Sequence, residues 1–116
     1  MTLADYSDGR LFRPSLMARA LQTSVQDIAG SVGLGRDALQ RKDRLRSDRT
    51  QSRLREMAEI LNRTEPRFGS ALMAYAWYRS EPLAGFSGLT AMQLVQAGRA
   101  TEVMGYLDAL DAGVFA

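Results

Sequence analysis

The side chains best suited to chemistry in this sequence are the arginines of one short segment. Residues 36–55 hold 8 basic and 3 acidic side chains. Arg36 and Gln40 lie four residues apart, so a helix would place them on one face. Arginine can bond the edge of guanine in the DNA major groove and glutamine the edge of adenine, while further arginines contact phosphates. The predicted DNA-binding residues are therefore Arg36, Gln40, Arg41 and Arg44.

The segment from Val25 to Arg44 has the spacing of a helix-turn-helix, which would present those side chains. Ala29 is small where two helices would cross closely, and Gly33 follows four residues later, where the turn needs a positive φ. Lys42 stands where an apolar contact is usual, so a structural helical hairpin with a solvated basic face remains the alternative. Phosphate contact is favoured by four flanking basic residues, Arg46, Arg49, Arg53 and Arg55.

The composition excludes several kinds of catalytic and metal site. The sequence has no cysteine and no histidine, which removes thiolate and imidazole metal ligands and histidine acid–base chemistry. It offers no carboxylate pair, no nucleophile with a neighbouring base and no phosphate-binding glycine loop. We therefore expect no enzyme activity, no cofactor and no metal.

Nothing in the sequence is typical of a membrane or exported protein. No apolar run approaches the ~20 residues that cross a bilayer. The N-terminus lacks the charged and apolar regions of a signal peptide. A cytoplasmic protein without membrane contact is expected.

Apolar residues recur with helical spacing along the chain, and this predicts an all-α fold. Seven helices are expected, beginning at Pro14, after Thr23, near Arg36, near Asp48 or Thr50, near Pro66, after Thr90 and after Thr101. The fourth helix is expected to end within residues 62–66, and residues 1–10 are expected to be frayed. These breaks divide the chain into 1–63 and 64–116, with net charges of +4 and −2.

The fifth predicted helix, about residues 66–79, is apolar around most of its circumference. A helix of this kind has to be covered on most sides. It is therefore either the central core helix or part of a subunit interface, and a core helix with an interface edge is the preferred interpretation. A homodimer or larger assembly is expected, since helix-turn-helix proteins usually read paired half-sites.

The C-terminal block combines residues that point to a known family. The pattern is Trp77, Pro82, Gly88, Thr90, Leu94, Gly98-Arg99, Val103, Leu107 and Gly113. It resembles the C-terminal domain of the Xre/MbcA/ParS toxin-binding antitoxins, the partners of RES-domain toxins, over roughly residues 50–116. The helix-turn-helix resembles that of Xre proteins more loosely. Ala91 departs from the family, which usually has proline after the capping residue.

The resemblance implies an Xre-like helix-turn-helix bundle in residues 1–63, continuous with a small helical toxin-binding domain in residues 64–116. It implies an antitoxin that binds operator DNA for autoregulation and covers the active site of a RES-domain toxin, which would degrade NAD. The residues expected to contact the toxin are Trp77, Arg99, Val114, Phe115 and Ala116.

Two alternatives stay open at this point. Phe115 could instead fold back onto Trp77 or Leu110 as a small piece of core. The whole chain could be a stand-alone helix-turn-helix transcriptional repressor without a toxin partner, and its C-terminal half would then need another use, such as dimerisation or effector binding.

Overall fold

The computed structural model is built of helices and describes residues 3–35, 38 and 41–113, with the backbone alone for Lys42. A 3-10 turn at Leu3–Tyr6 comes first. The α-helices are α1 (Pro14–Ala20), α2 (Val25–Ser31), α3 (Lys42–Leu45), α4 (Asp48–Phe68), α5 (Ala71–Ser80), α6 (Ala91–Gln96) and α7 (Ala100–Asp111). Among these residues there is no strand, only isolated bridges pairing Ser7 with Phe12 and Pro82 with Thr90. The all-α prediction is confirmed.

Helix α4 is the centre of the fold, because the 3-10 turn, α3, α5, α6 and α7 all pack against it. Ser47 caps its start by accepting a hydrogen bond from the Thr50 amide. The predicted inward face is fully buried and consists of Leu54, Met57, Ala58 and Leu61. The predicted boundary between residues 63 and 64 falls inside this helix, so the two predicted regions share one core.

The prediction that α4 ends within residues 62–66 is wrong. The helix runs through Pro66 to Phe68 and ends where Gly69 adopts a left-handed φ of 88°. Pro66 lies in the last turn, where its missing N–H costs only the hydrogen bond to one carbonyl. The next helix consequently starts at Ala71 rather than near Pro66, and Ser70 caps it by accepting from the Met73 amide.

Helix α5 has a buried side and an exposed edge. Ala71, Ala74, Tyr75 and Tyr78 are buried in the core. Two large apolar side chains on the other side, Leu72 and Met73, are 41% and 57% exposed. A core helix with an uncovered edge therefore describes α5 within the single chain.

The prediction of a frayed N-terminus is wrong for residues 3–10. Tyr6 is only 1% exposed. Gln51 of α4 accepts from the Phe12 amide at 2.8 Å and donates to the Phe12 carbonyl at 3.1 Å. Burial, with Glu65 and Asp5 nearby, raises the pKa of Tyr6 to about 12. The segment is thus tied to α4 by tertiary contacts that its own sequence does not reveal.

The helix caps are confirmed at one predicted position and shifted at two. Thr90 and Gln93 form the complete capping box of α6, so Ala91 in place of proline does not disturb this start. Helix α2 is capped by Ser24, not by Thr23, whose hydroxyl instead bonds the Asp27 carboxylate. Helix α7 begins one residue before Thr101, with Arg99 at the cap position and no side-chain cap.

Helix α2 is joined to the C-terminal half by polar contacts that we name the α2–α6 junction. The guanidinium of Arg53, on α4, donates to the carbonyls of Val32 and Gln96, each at 3.3 Å, and to the carbonyl of Val95. The side-chain amide of Gln96 donates to the Gly30 carbonyl at 2.8 Å. These carbonyls lie at the C-terminal ends of α2 and α6, and those of Gly30 and Val95 also accept from the amides of Gly33 and Gly98.

Two tyrosines of α5 bind the same end of α2. The Tyr78 hydroxyl donates to the Ser31 carbonyl at 2.7 Å, and the hydroxyls of Tyr75 and Ser31 lie 2.8 Å apart. Gly33 has the predicted positive φ, +73°, and it also packs closely on α6. A Cβ at this position would lie 3.0 Å from the Cα of Gln96, so both backbone conformation and space require glycine.

Loss of the hydroxyl should affect the free energy of unfolding differently at the two fully buried tyrosines, Tyr6 and Tyr78. Among the described residues the Tyr6 hydroxyl has no hydrogen-bond partner. Tyr6→Phe should therefore leave the free energy of unfolding unchanged or raise it by about 1 kcal/mol. Tyr78→Phe removes the bond to Ser31 and should lower it by about 1–3 kcal/mol. Urea unfolding of both variants checks this, and equal destabilisation by the two substitutions would contradict it.

Candidate functional site

The segment predicted to be a helix-turn-helix is only partly described, and Arg41 and Arg44 are exposed within it. Arg36 and Gln40 lie outside the described residues. Arg41 and Arg44 are exposed, as predicted for residues that face a ligand. Arg46 and Arg49 continue the exposed series toward α4.

Two of the flanking arginines are used within the protein. The guanidinium of Arg53 is held in the α2–α6 junction and does not belong to the exposed basic face. Arg55 lies over the ring of Phe12, 5.8 Å from its centroid. The basic segment therefore serves both the surface and the packing of the fold, a division that counting charges does not reveal.

A second surface lies where α4 ends and α5 begins, and we name it the apolar patch: Phe68, Leu72, Met73 and Trp77. The rings of Phe68 and the half-buried Trp77 pack at 5.5 Å between centroids. Met73 precedes Trp77 by four residues, so both occupy one face of α5. Apolar side chains gathered at an exposed edge are typical of a protein-binding surface.

The last turn of α7 is held against the end of α4 next to this patch. Arg63 donates to Asp108 at 2.6 Å and to Asp111 at 2.9 Å, and Arg67 donates to Asp111 at 3.0 Å. Hydrogen bonds from these arginines hold the pKa of Asp111 below its usual value. Because Phe68 directly follows Arg67, the chain leaves α7 at the same end of the molecule as the apolar patch.

The predicted toxin-binding residues do not all lie together. Trp77 is in the apolar patch, whereas Val114, Phe115 and Ala116 lie outside the described residues and follow the end of α7. Arg99 is at the opposite end of α7, about 18 Å along a helix of twelve residues. Its guanidinium is paired with Glu102 of the same helix at 2.6 and 2.9 Å.

Sequence reasoning missed three residues of the apolar patch, namely Phe68, Leu72 and Met73. They belong to a helix predicted to be apolar around most of its circumference, and periodicity alone does not say which side of such a helix stays uncovered. The packing of α5 against the rest of the fold determines that Leu72 and Met73 lie on the exposed side.

The C-terminal part of the chain matches a known protein family. A family model described as the antitoxin Xre/MbcA/ParS C-terminal toxin-binding domain matches residues 59–113. Residues 59–113 are a toxin-binding domain of this antitoxin family. The resemblance to the family is thereby confirmed over this range. Searches of curated proteins and of solved structures return no match to the chain.

The toxin-binding domain begins inside α4 and includes α5, α6 and α7. The apolar patch and the paired arginines Arg63 and Arg67 all belong to it, and its partner is a toxin. No helix in the described part of the chain is long and apolar enough to cross a membrane.

Proposed function

We propose that this protein is the antitoxin of a RES-domain toxin that degrades NAD. It neutralises the toxin by covering its active site, and it binds its own operator DNA to control expression. The observation that carries the proposal is the match of residues 59–113 to a toxin-binding domain. In this domain the apolar patch and the last turn of α7 lie at one end. The protein acts by binding, without catalysis of its own.

The apolar patch is the proposed surface that docks on the toxin. Met73 is 57% exposed and Leu72 41% exposed, which leaves apolar area for a partner to bury. Apolar contacts that are fully desolvated on binding supply most of the affinity of an interface. The neighbouring cations Arg63 and Arg67 are already paired with carboxylates, so the patch can be covered without leaving them unpaired.

Met73→Glu should weaken the complex with the toxin at least tenfold without unfolding the antitoxin. Met73 is the third residue of α5 after the Ser70 cap, where glutamate completes a capping box, so the helix should tolerate the change. The matched control is Val25→Glu, at an exposed first-turn position of α2 outside the toxin-binding domain. Calorimetric titration of each variant with the cognate toxin measures both. Equal affinities for the two variants would contradict this docking surface.

The tail is the proposed element that enters the toxin's active site. Val114, Phe115 and Ala116 are apolar, a chemistry that suits a pocket lined by apolar groups. Gly113 has a positive φ of 78°, which lets the chain turn away from the axis of α7. Arg63 and Arg67 fix the place from which the tail starts.

Deletion of residues 114–116 should leave the thermal midpoint nearly unchanged and weaken inhibition of NAD degradation. Three residues after a helix end contribute little to the core, but they would be lost from the toxin's cleft. The measurement is NAD consumption by the toxin at increasing antitoxin concentration, with calorimetry of the free antitoxin beside it. Full inhibition by the truncated protein would exclude the tail mechanism, and a lowered midpoint would assign Phe115 to the core.

Operator binding is the second proposed activity, through Arg36, Gln40, Arg41 and Arg44. Arg36→Ala should weaken binding to the specific operator by about 1–3 kcal/mol and relax its sequence preference, because a bond to a base edge is lost. Arg44→Ala should weaken binding to all sequences alike and reduce the salt dependence, because a phosphate contact is lost. Fluorescence anisotropy with the protein's own promoter fragment tests this. Absence of salt-dependent binding, with and without toxin, would overturn the DNA-binding proposal.

A further inference from the structure

Arginines from two distant parts of the chain meet at one groove on the surface. Arg10 and Arg13 belong to the segment before α1, and Arg46 belongs to the connection between α3 and α4. Together with Leu11 they line a cavity of about 260 Å³. We name this cavity the arginine groove.

Backbone contacts hold the two sides of the arginine groove together. The side-chain amide of Gln51 donates to the carbonyl of Leu45, the residue before Arg46, at 2.9 Å. The same side chain exchanges two hydrogen bonds with the backbone of Phe12, the residue before Arg13. One glutamine of α4 therefore fixes the spacing between both groups of arginines.

Asp8 organises the N-terminal side of the groove. Its carboxylate accepts from the amides of Arg10 and Leu11, each at 2.9 Å, and pairs with the Arg13 guanidinium at 2.6 Å. These bonds hold the pKa of Asp8 well below its usual value. Arg13 is thus neutralised locally.

The other two arginines of the groove keep their charge available. Within the described residues, neither Arg10 nor Arg46 has a carboxylate partner, and both are exposed. Cations held together without counter-charges favour the binding of an anion. The groove therefore carries an excess of positive charge that nothing in the described fold uses.

We propose that the arginine groove binds the phosphate backbone of DNA beside the site read by the helix-turn-helix. This rests on the proposed operator binding and extends it to the N-terminal segment. The groove continues the exposed series Arg41, Arg44, Arg46 and Arg49. If the preceding helix reads DNA bases, the anions next to this series of arginines are the phosphodiesters of the DNA backbone. The groove carries no base-reading geometry, so it adds affinity without sequence preference.

Removal of a groove arginine should weaken DNA binding without changing sequence preference. Arg10→Ala and Arg46→Ala should each weaken binding to operator and to unrelated duplex about 3- to 10-fold at moderate salt. The slope of log affinity against log salt should fall by about 1 for each variant. The charge-matched control is Arg67→Ala, in the last turn of α4 and about 27 Å along the helix from its first turn. The control should bind DNA like the unmodified protein.

The Asp8→Asn variant should change DNA affinity in the opposite direction, toward tighter binding. The amide oxygen can still accept the bonds from the Arg10 and Leu11 amides, but the charge that neutralises Arg13 is lost. DNA binding should become severalfold tighter and its salt dependence steeper. A damaged fold would not produce a gain of this kind, so this variant separates the proposal from simple unfolding.

The outcomes distinguish the groove from operator binding itself. If the unmodified protein binds no promoter DNA, the proposed DNA-binding activity fails. If it binds, and the Arg10, Arg46 and Asp8 variants keep its affinity and salt slope, the groove proposal is overturned. Retained DNA binding with loss of the toxin complex would assign the groove to an acidic protein surface, and this too would overturn the proposal.

Discussion

The structure depends on the placement of one charged side chain, Arg53, among helix ends. Its guanidinium donates to carbonyls at the C-terminal ends of both α2 and α6. Hydrogen bonds from a charged donor are stronger than neutral ones, and one nitrogen of this guanidinium serves all three carbonyls. Because Arg53 lies on the central helix α4, these bonds hold the N-terminal helices and the toxin-binding domain in one arrangement. Gly33 adds the close approach of the turn to α6.

Helix α4 separates two surfaces of different chemistry along its length. At its start, Arg46 and Arg49 are exposed and continue the basic segment. At its end, Arg63 and Arg67 are paired with Asp108 and Asp111, so their charge is largely compensated there. The start of the helix thus presents exposed cations, and the end presents the apolar patch. A nucleic acid and a protein partner could occupy the two ends without competing for the same residues.

One continuous core connects the two ends of α4. Residues 59–113 form the toxin-binding domain, yet its first helix begins eleven residues earlier in the basic segment. Helix α2 is held to this domain by the α2–α6 junction and by Tyr75 and Tyr78. Helix α2 is therefore not part of a separate body on a linker. A partner that shifts α5 or α6 acts directly on the contacts that position α2.

Local sequence patterns are enough to predict the helical class, the family resemblance of residues 59–113 and several local features. The buried face of α4, the positive φ of Gly33 and the cap at Thr90 follow from periodicity and from the chemistry of single residues, which act over one or two turns. For the same reason the sequence indicated Arg41 and Arg44 as exposed basic residues.

Features that depend on residues far apart in the chain emerge only from the packing of the fold. Pro66 reads locally as a helix end, but α4 continues through it because its last turn is packed and closed at Gly69. Residues 3–10 read as frayed, but Gln51 and the core hold them and place Arg10 beside Arg46. Arg53 reads as one more phosphate ligand, but the ends of α2 and α6 bind it. In each case the contact that determines the structure joins residues distant in sequence, so it cannot be predicted from the local pattern.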